Sequence, residues 1–439
     1  MAERFDAIVI GGGPAGSTAA LVLARAGFSV CVLEKDAHPR FHIGESILPR
    51  TTPLLKELGL EAAAAALPQV PKYGAEFGFG NDFDTMKFGF SDGLLPGFPV
   101  FNIERAPLDT MLFKQAVAAG AACSENEGVK AISKLAHDDV EVQTTTGRTI
   151  RGRVLIDASG HGTVVGRHVG TRKPFADPDL QKVAYFEHFE GVERLTGQAA
   201  GHPGIFMTDE GWFWVIHTSD TVTSVGFVTR PDFCKQINVP ANGMLQWAIA
   251  RCPVVRHRMR NATGPTTNKT LADFSYTCRP HAGDGYFLVG DAGCFLDPIF
   301  STGVTLAMMG GNECAKIVTQ MLRGQLMSPA ARRKYIRFVE GSTSPFWKLI
   351  RGYYRHSFRE LFMNGTGPFQ MHKAVISTLA GQVFPRPVWA LRWRVALFHI
   401  CVVLQEKLPL VPRRKHCSLL AETPAPIALQ RPAPELAHA

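Results

Sequence analysis

The stretch DAIVIGGGPAG, residues 6–16, decides how the rest of the chain is read. Phe5–Ile10 reads as a strand, Gly11–Gly13 as a glycine turn, Ala15–Ala26 as a helix and Phe28–Leu33 as a second strand. The strands lack polar alternation, as expected in a βαβ unit whose parallel strands are covered on both faces. Gly11, Gly13 and Gly16 form G-x-G-x-x-G. In that pattern the first glycine permits the tight turn, the second lets backbone approach a pyrophosphate, and the third lets helix pack on strand. The helix start then offers free N–H groups to phosphates. Glu34 ends the second strand, where a carboxylate binds ribose hydroxyls. NAD and FAD share this fingerprint, and a glycine turn that serves only packing competes with both.

A chain of 439 residues is too long for one small domain and predicts two or three cores. Hydrophobic residues at 46% and charged residues at 19% are ordinary for a globular enzyme. The N-terminus resembles neither a signal peptide nor a membrane span, and the apolar run Val395–Leu404 is too short to cross a bilayer. The nine cysteines are scattered, odd in number and without a C-x-x-C pair. That pattern argues against a disulfide framework and a zinc site, so a reduced, cytoplasmic protein without a metal centre is expected. Charge is unevenly placed: residues 351–420 hold 11 Lys/Arg against Glu360 and Glu406, which matches the whole net charge of +9. Such a segment suits an acidic protein, an anionic membrane or nucleic acid, or is simply a solvated face.

Farther along, VLIDASGHG (154–162) and GYFLVGDAG (285–293) read as buried strands entering glycine turns. Between them KVAYFEHFEG, GIFMT, GWFWVIH and TVTSVGFVT suggest an antiparallel sheet with one covered face. In GWFWVIH, Trp212, Trp214 and Ile216 share one face of a strand, while Phe213, Val215 and His217 share the other. From about residue 330 to 410 the pattern turns helical, with aromatics and arginines interleaved. The Pro/Ala-rich tail reads as disordered.

GYFLVGDAG resembles the late G-D segment of flavin monooxygenases, in which the aspartate, here Asp291, binds the ribityl chain of FAD. VLIDASG, Arg105 in ERAPLD, and Val129 match the same superfamily. The resemblance implies an FAD site formed by Gly11, Gly13, Ala15, Gly16, Glu34, Arg40, Ser46, Arg105, Val129, Asp291, Pro298 and Val304. It narrows to the flavin-dependent halogenases at four places: FHIGESILP (41–49), PKYGAEF (71–77), GWFWVIH (211–217) and LDPIFSTGVTLA (296–307). In that family reduced FAD, oxygen and chloride or bromide yield hypohalous acid, which a lysine directs onto an aromatic ring. Here the lysine is Lys72, with an ordinary loop lysine as the competing reading. A catalytic role implies burial and a lowered pKa. The resemblance places halide on the amides of Thr302 and Gly303, where Ser301 as a simple helix cap is the alternative. It also makes Trp212 and Trp214 a barrier between flavin and substrate.

Tryptophan halogenases carry a glutamate immediately before S-T-G, and Phe300 stands there in this chain. The sequence therefore resembles the branch acting on phenols and pyrroles, often tethered to a carrier protein. Asp297, His42 and His217 are the other candidate bases, each also readable as structural; His217 replaces a proline of the family motif. With one nucleotide fingerprint, reduced flavin is expected from a separate NAD(P)H-dependent reductase. An acidic carrier would complement residues 351–420, with Arg392, Arg394, Arg413 and Arg414 as the contacts; WALRWRVALFHICVVL instead suits a pocket cover or a membrane surface. Nucleic acid is not an expected partner. A flavin hydroxylase or epoxidase, an alkene-reducing saturase and a non-catalytic FAD-binding relative remain as rival readings.

The predicted fold is α/β with α+β character: a Rossmann-type FAD-binding domain of the flavin monooxygenase fold, an inserted antiparallel-sheet substrate domain, and a mainly helical C-terminal region. The expected boundaries are 1–72, 100–175 and 276–330 for FAD, 73–99 and 176–275 for substrate, 331–418 for the helices, and 419–439 for a disordered tail.

Overall fold

The computed structural model describes residues 3–272, 274–295 and 297–423. The fingerprint unit forms as read: strand Glu3–Ile10, helix Pro14–Arg25, strand Val30–Leu33. Glu3–Ile10 is the centre of a sheet ordered Ala282–Gly283, Tyr286–Leu288, Thr149–Asp157, Glu3–Ile10, Val30–Leu33, Ala122–Ser124. Its core pairs are parallel, and the hairpin Val129–Ala136 with Asp139–Thr144 attaches antiparallel to Thr149–Asp157. Parallel strands need covering on both faces, and apolar residues supply it: Ala7 and Val9 face one core, Ile8 and Ile10 the other. Gly16 is where helix meets strand most closely, since a Cβ there would lie 1.9 Å from the Gly11 carbonyl oxygen. Gly11 itself has φ +98°, a left-handed conformation that glycine adopts without strain.

The second sheet is ordered Lys269–Leu271, Val183–Glu190, Val222–Thr229, Gly211–His217, Gly204–Met207, Gly74–Phe79, Met86–Gly89. Two sequence expectations change here. The sheet is not purely antiparallel, because Gly204–Met207 runs parallel to Gly74–Phe79, two segments far apart in the chain. Nor is only one face covered: every residue of Gly211–His217 is buried. Trp212, Trp214 and Ile216 face the main core, whereas Phe213 and Val215 pack against the helices Met244–Arg251 and Pro253–Arg258. The helical pair supplies a second apolar layer that strand alternation alone does not reveal.

The C-terminal region consists of the helices Ser328–Tyr353, His356–Met363, Met371–Leu379 and Trp389–Lys407. The segment expected as a disordered tail begins too early, since Leu419 is fully buried in the second core and its amide donates to Glu210 Oε2 at 2.9 Å. The rest of that expected tail, from 424 onward, lies outside the described residues. No helix among the described residues is long and apolar enough to cross a membrane.

Candidate active site

A cleft of about 620 Å³ opens where the parallel sheet meets the second sheet. Its near end is the fingerprint: Gly11, Gly13 and Ala15 line it, as do Glu34 and Arg40. The Gly12 amide donates to Glu34 Oε2 at 2.7 Å, and Asp36 N–H donates to the other carboxylate oxygen at 3.0 Å. Glu34 is thereby held at the lip of the glycine turn. The Arg40 guanidinium lies 3.5 Å from Glu34 and would be the first atom met by a Cβ on Gly13, so the turn is open to a phosphate with a cation above it. Gly16 does not line the cleft; its part is the close packing described above.

Farther in, Ser46, Arg105, Val129, Asp291, Pro298 and Val304 all line the same space. Arg105 is fixed by Asp109, with Nε to Oδ1 at 2.8 Å and Nη2 to Oδ2 at 3.0 Å, and donates to the Ile43 carbonyl at 3.0 Å. Its charge and burial hold the neighbouring His42 down to about 4, with burial the larger cause. His42 is therefore neutral, and its Nδ1 lies 2.8 Å from its neighbour's carbonyl, Ile43 O. The Asp291 carboxylate takes no hydrogen bond from the described residues although burial raises its pKa. A carboxylate aimed into a cleft without a donor fits a ligand rich in hydroxyls, such as the ribityl chain. These features meet the demands of FAD: an open glycine turn, a ribose carboxylate and a free acceptor beside the strand end.

The S-T-G stretch forms the inner wall of the cleft. Ser301 adopts φ 56°, and Thr302 becomes the N-cap of the long helix Gly303–Leu322. No side-chain cap bond forms, so Ser301 is not the helix cap that the simpler reading expected. The first intrahelical bond reaches Thr302 O from Leu306 N–H at 2.9 Å. The preceding amides therefore have no helical acceptor, which makes this helix start able to hold an anion. A Cβ on Gly303 would meet nothing within 4 Å, so Gly303 leaves open space at that helix start.

Trp212 and Trp214 also line the cleft, their ring centroids 6.0 Å apart. Trp214 Nε1 donates to Ser224 Oγ and Trp212 Nε1 to the Tyr354 hydroxyl, each at 3.0 Å. His217 points to the other face, its Nδ1 2.7 Å from Thr223 Oγ1, and burial lowers it to about 3. It is a structural histidine with no access to the cleft.

Lys72 does not line this cleft. It ends the strand Val70–Lys72, which pairs with Val100–Asn102, so it is not a loop lysine. It borders a separate small cavity of about 20 Å³, also lined by Phe77, Phe88, Phe90, Phe300 and Leu379. Ile205 and Ser301 border both spaces and so form the partition between them. Lys72 is 2% exposed, donates to Ser46 Oγ and to the Ile47 carbonyl at 2.9 Å each, and lies 5.3 Å from the Phe90 ring centre. No carboxylate among the described residues compensates it, and burial pushes its pKa down from 10.5 to about 7.

A family model described as an FAD binding domain matches residues 4–329. A 1H-pyrrole-2-carbonyl-[peptidyl-carrier protein] brominase of Pseudoalteromonas luteoviolacea is 33% identical over 337 residues, 73% of this chain and 79% of that protein. The chain belongs to the flavin-dependent halogenases. A 1H-pyrrole-2-carbonyl-[peptidyl-carrier protein] chlorinase of Pseudomonas fluorescens is 27% identical over 80% of this chain and 84% of its own length. The solved structure of the flavin-dependent brominase Bmp2 superimposes with a TM-score of 0.81 at 28% identity, covering 92% of this chain and 99% of that one. This halogenase is accordingly an FAD-dependent oxidoreductase.

The site also contains residues that motif reading passed over. Glu45 Oε1 lies 2.6 Å from His188 Nε2, with the half-exposed Phe41 ring against both His188 and Phe186. Tyr354 binds both Trp212 and Asp297. Neither His188 nor Tyr354 belongs to a spaced motif, and no signal within its own segment marks it.

Proposed function

We propose that this halogenase places chlorine or bromine on an electron-rich aromatic acyl group, pyrrole or phenol in type, carried as a thioester on an acidic carrier protein, with Lys72 delivering the halogen. The observation that carries this is the buried, uncompensated Lys72 in its own cavity, behind a partition shared with the FAD cleft. Bound FAD, reduced by a separate NAD(P)H-dependent reductase, supplies hypohalous acid with oxygen and halide.

The chain's residues then divide the work. The amides around Thr302 and Gly303 hold halide at the helix start. The paired indoles of Trp212 and Trp214 wall the cleft, which keeps a ring away from direct oxygenation. With its pKa near 7, Lys72 is present both as ammonium and as amine at neutral pH. The ammonium can donate a hydrogen bond to hypohalous acid. The amine can instead attack its halogen, forming an N–halogen bond and releasing water. Transfer to the aromatic carbon then breaks that bond, the ring proton passes to nitrogen, and the amine is restored. Phe300 packs against Tyr353 and Phe77 in the lysine cavity, so a carboxylate base is absent at that position. Pyrrole and phenol rings react without one because they are electron-rich.

Carrier presentation is supported by the two pyrrolyl-carrier relatives and by the outer face of Trp389–Lys407. That face exposes Trp389, Ile400, Val403 and Leu404, with exposed Arg386, Arg392 and Lys407 on or just before the same helix and Arg413 donating to the Glu406 carbonyl at its end. Arg414 instead pairs with Asp82, and Arg394 donates to the Phe369 carbonyl while stacking on Trp393. Arg392 and Arg413 are thus the better contacts of the four expected from sequence.

The test is reconstitution with FAD, a flavin reductase, oxygen and either halide, screening pyrrole and phenol carrier thioesters by mass spectrometry. A halogen isotope pattern that disappears in Lys72→Ala is expected. Oxygen insertion in place of halogen would refute the reading.

A further inference from the structure

We propose that the Tyr354 hydroxyl is a positioning group for halogenation, one that registers the indole wall with the loop leading to the halide site. Tyr354 follows the C-terminal end of the helix Ser328–Tyr353, far in sequence from every FAD or halide motif. Its oxygen accepts from Trp212 Nε1 at 3.0 Å and donates to Asp297 Oδ2 at 2.7 Å. The other Asp297 oxygen accepts from Ile299 N–H at 2.9 Å, which sets the turn Pro298–Phe300 that leads into Ser301 and Thr302. One phenol thus ties the C-terminal helices, the indole strand and the halide loop to a common point.

The surroundings make that point rigid. Asp297 is 5% exposed and borders the FAD cleft, so its second oxygen depends on a protein donor. Lys182, also buried, holds its ammonium 4.2 Å from the centre of the Tyr354 ring. Neighbouring Tyr353 turns the opposite way and packs edge-on against Phe77 and Phe300, which line the lysine cavity. Two consecutive tyrosines therefore brace the two chambers on either side of the Ile205 and Ser301 partition. Loss of the Tyr354 hydroxyl leaves both the Trp212 N–H and a carboxylate oxygen unpaired while the ring and its cation contact stay.

The consequence is read as coupling between oxygen consumption and halide capture. Where halide is not captured, reduced FAD and oxygen give oxidised FAD and hydrogen peroxide, so the peroxide fraction measures the misalignment. With the FAD-loaded full chain and saturating bromide, Tyr354→Phe is expected to lower brominated product per oxygen about tenfold, with peroxide making up the difference. Half-saturating bromide should rise, and the dissociation constant for FAD should stay within about twofold, a split that general loosening of the fold would not produce. Trp212→Phe removes the other end of the bond, keeps the Tyr354 to Asp297 contact, and should raise the peroxide fraction similarly. The double variant should be no worse than the poorer single one. Wild-type peroxide fraction and bromide dependence in Tyr354→Phe would overturn the assignment. So would additive losses in the double variant, or, should Tyr354→Phe not fold, a wild-type peroxide fraction in Trp212→Phe.

Discussion

Replacing Lys72 by Met removes an ammonium from a place almost closed to water. Among the described residues protonated Lys72 is held by two neutral acceptors without a counter-ion, and its pKa falls from 10.5 to about 7. The folded state therefore binds this proton less tightly than the unfolded chain does. Between pH 7 and 10.5 the unfolded chain carries more protons, so stability rises with pH through that window. Below pH 7 the full penalty remains. At about 1.4 kcal/mol per unit, the two pKa values make Lys72 cost on the order of 5 kcal/mol at pH 6 and on the order of 2 kcal/mol at pH 9. Lys72→Met also strands the Ser46 hydroxyl and the Ile47 carbonyl, but that loss is independent of pH. The assay is denaturant unfolding of wild type and variant, both FAD-free, at pH 6 through 9. The stability difference, variant minus wild type, should fall by about 2–3 kcal/mol across that range. Parallel profiles would show that Lys72 is not buried as an ammonium and would remove the basis for an amine at neutral pH. Activity gives an independent reading: halogenation should vanish in Lys72→Met while oxidation of reduced FAD continues. In wild type the amine route predicts a rate that rises through an apparent pKa near 7.

Gly226 faces the Trp214 indole so closely that an added Cβ would lie 2.2 Å from the ring; Gly226→Ala should displace the indole, cost about 1–3 kcal/mol, and yield more oxygenated product by mass spectrometry. Trp214→Ala should widen the accepted substrates more than His217→Pro does, because His217 lies on the opposite strand face; competition between paired substrates checks this. Asp291→Asn keeps the size of the side chain but removes its charge and one acceptor oxygen, so FAD affinity measured by flavin fluorescence should fall about tenfold without a change in the far-UV spectrum. Arg392→Glu with Arg413→Glu should lower kcat/KM for a carrier thioester about tenfold or more and leave the matching small thioester unaffected; equal losses on both would remove the carrier face.

What was legible in the sequence was local. Gly11, Gly13, Gly16 and Glu34 act through spacing within one βαβ unit, so the places of Gly11, Gly13 and Glu34 in the cleft and the close packing at Gly16 follow from the string itself. Lys72 was legible through its flanks, and its burial matches the requirement for a lowered pKa. Contacts between distant segments were not legible. The parallel pairing of Gly204–Met207 with Gly74–Phe79 depends on the whole sheet, and the helices behind Phe213 cover a face that alternation left open. The twist at Ser301 that makes Thr302 the helix cap is a backbone choice imposed by the turn before it. Tyr354 was invisible because its meaning comes from Asp297 and Trp212, fifty-seven and 142 residues away.

The partition made by Ile205 and Ser301 also bears on how such an enzyme can change. On the proposed function, oxidant would form on one side of it and be consumed on the other, and few side chains serve both spaces. Phe77, Phe88, Phe90, Phe300 and Leu379 border only the lysine side. They can be exchanged for smaller or more polar residues without touching the glycine turn, Asp291 or the helix start at Gly303. New aromatic targets are thus within reach of a handful of substitutions, while the oxygen-handling half is inherited intact.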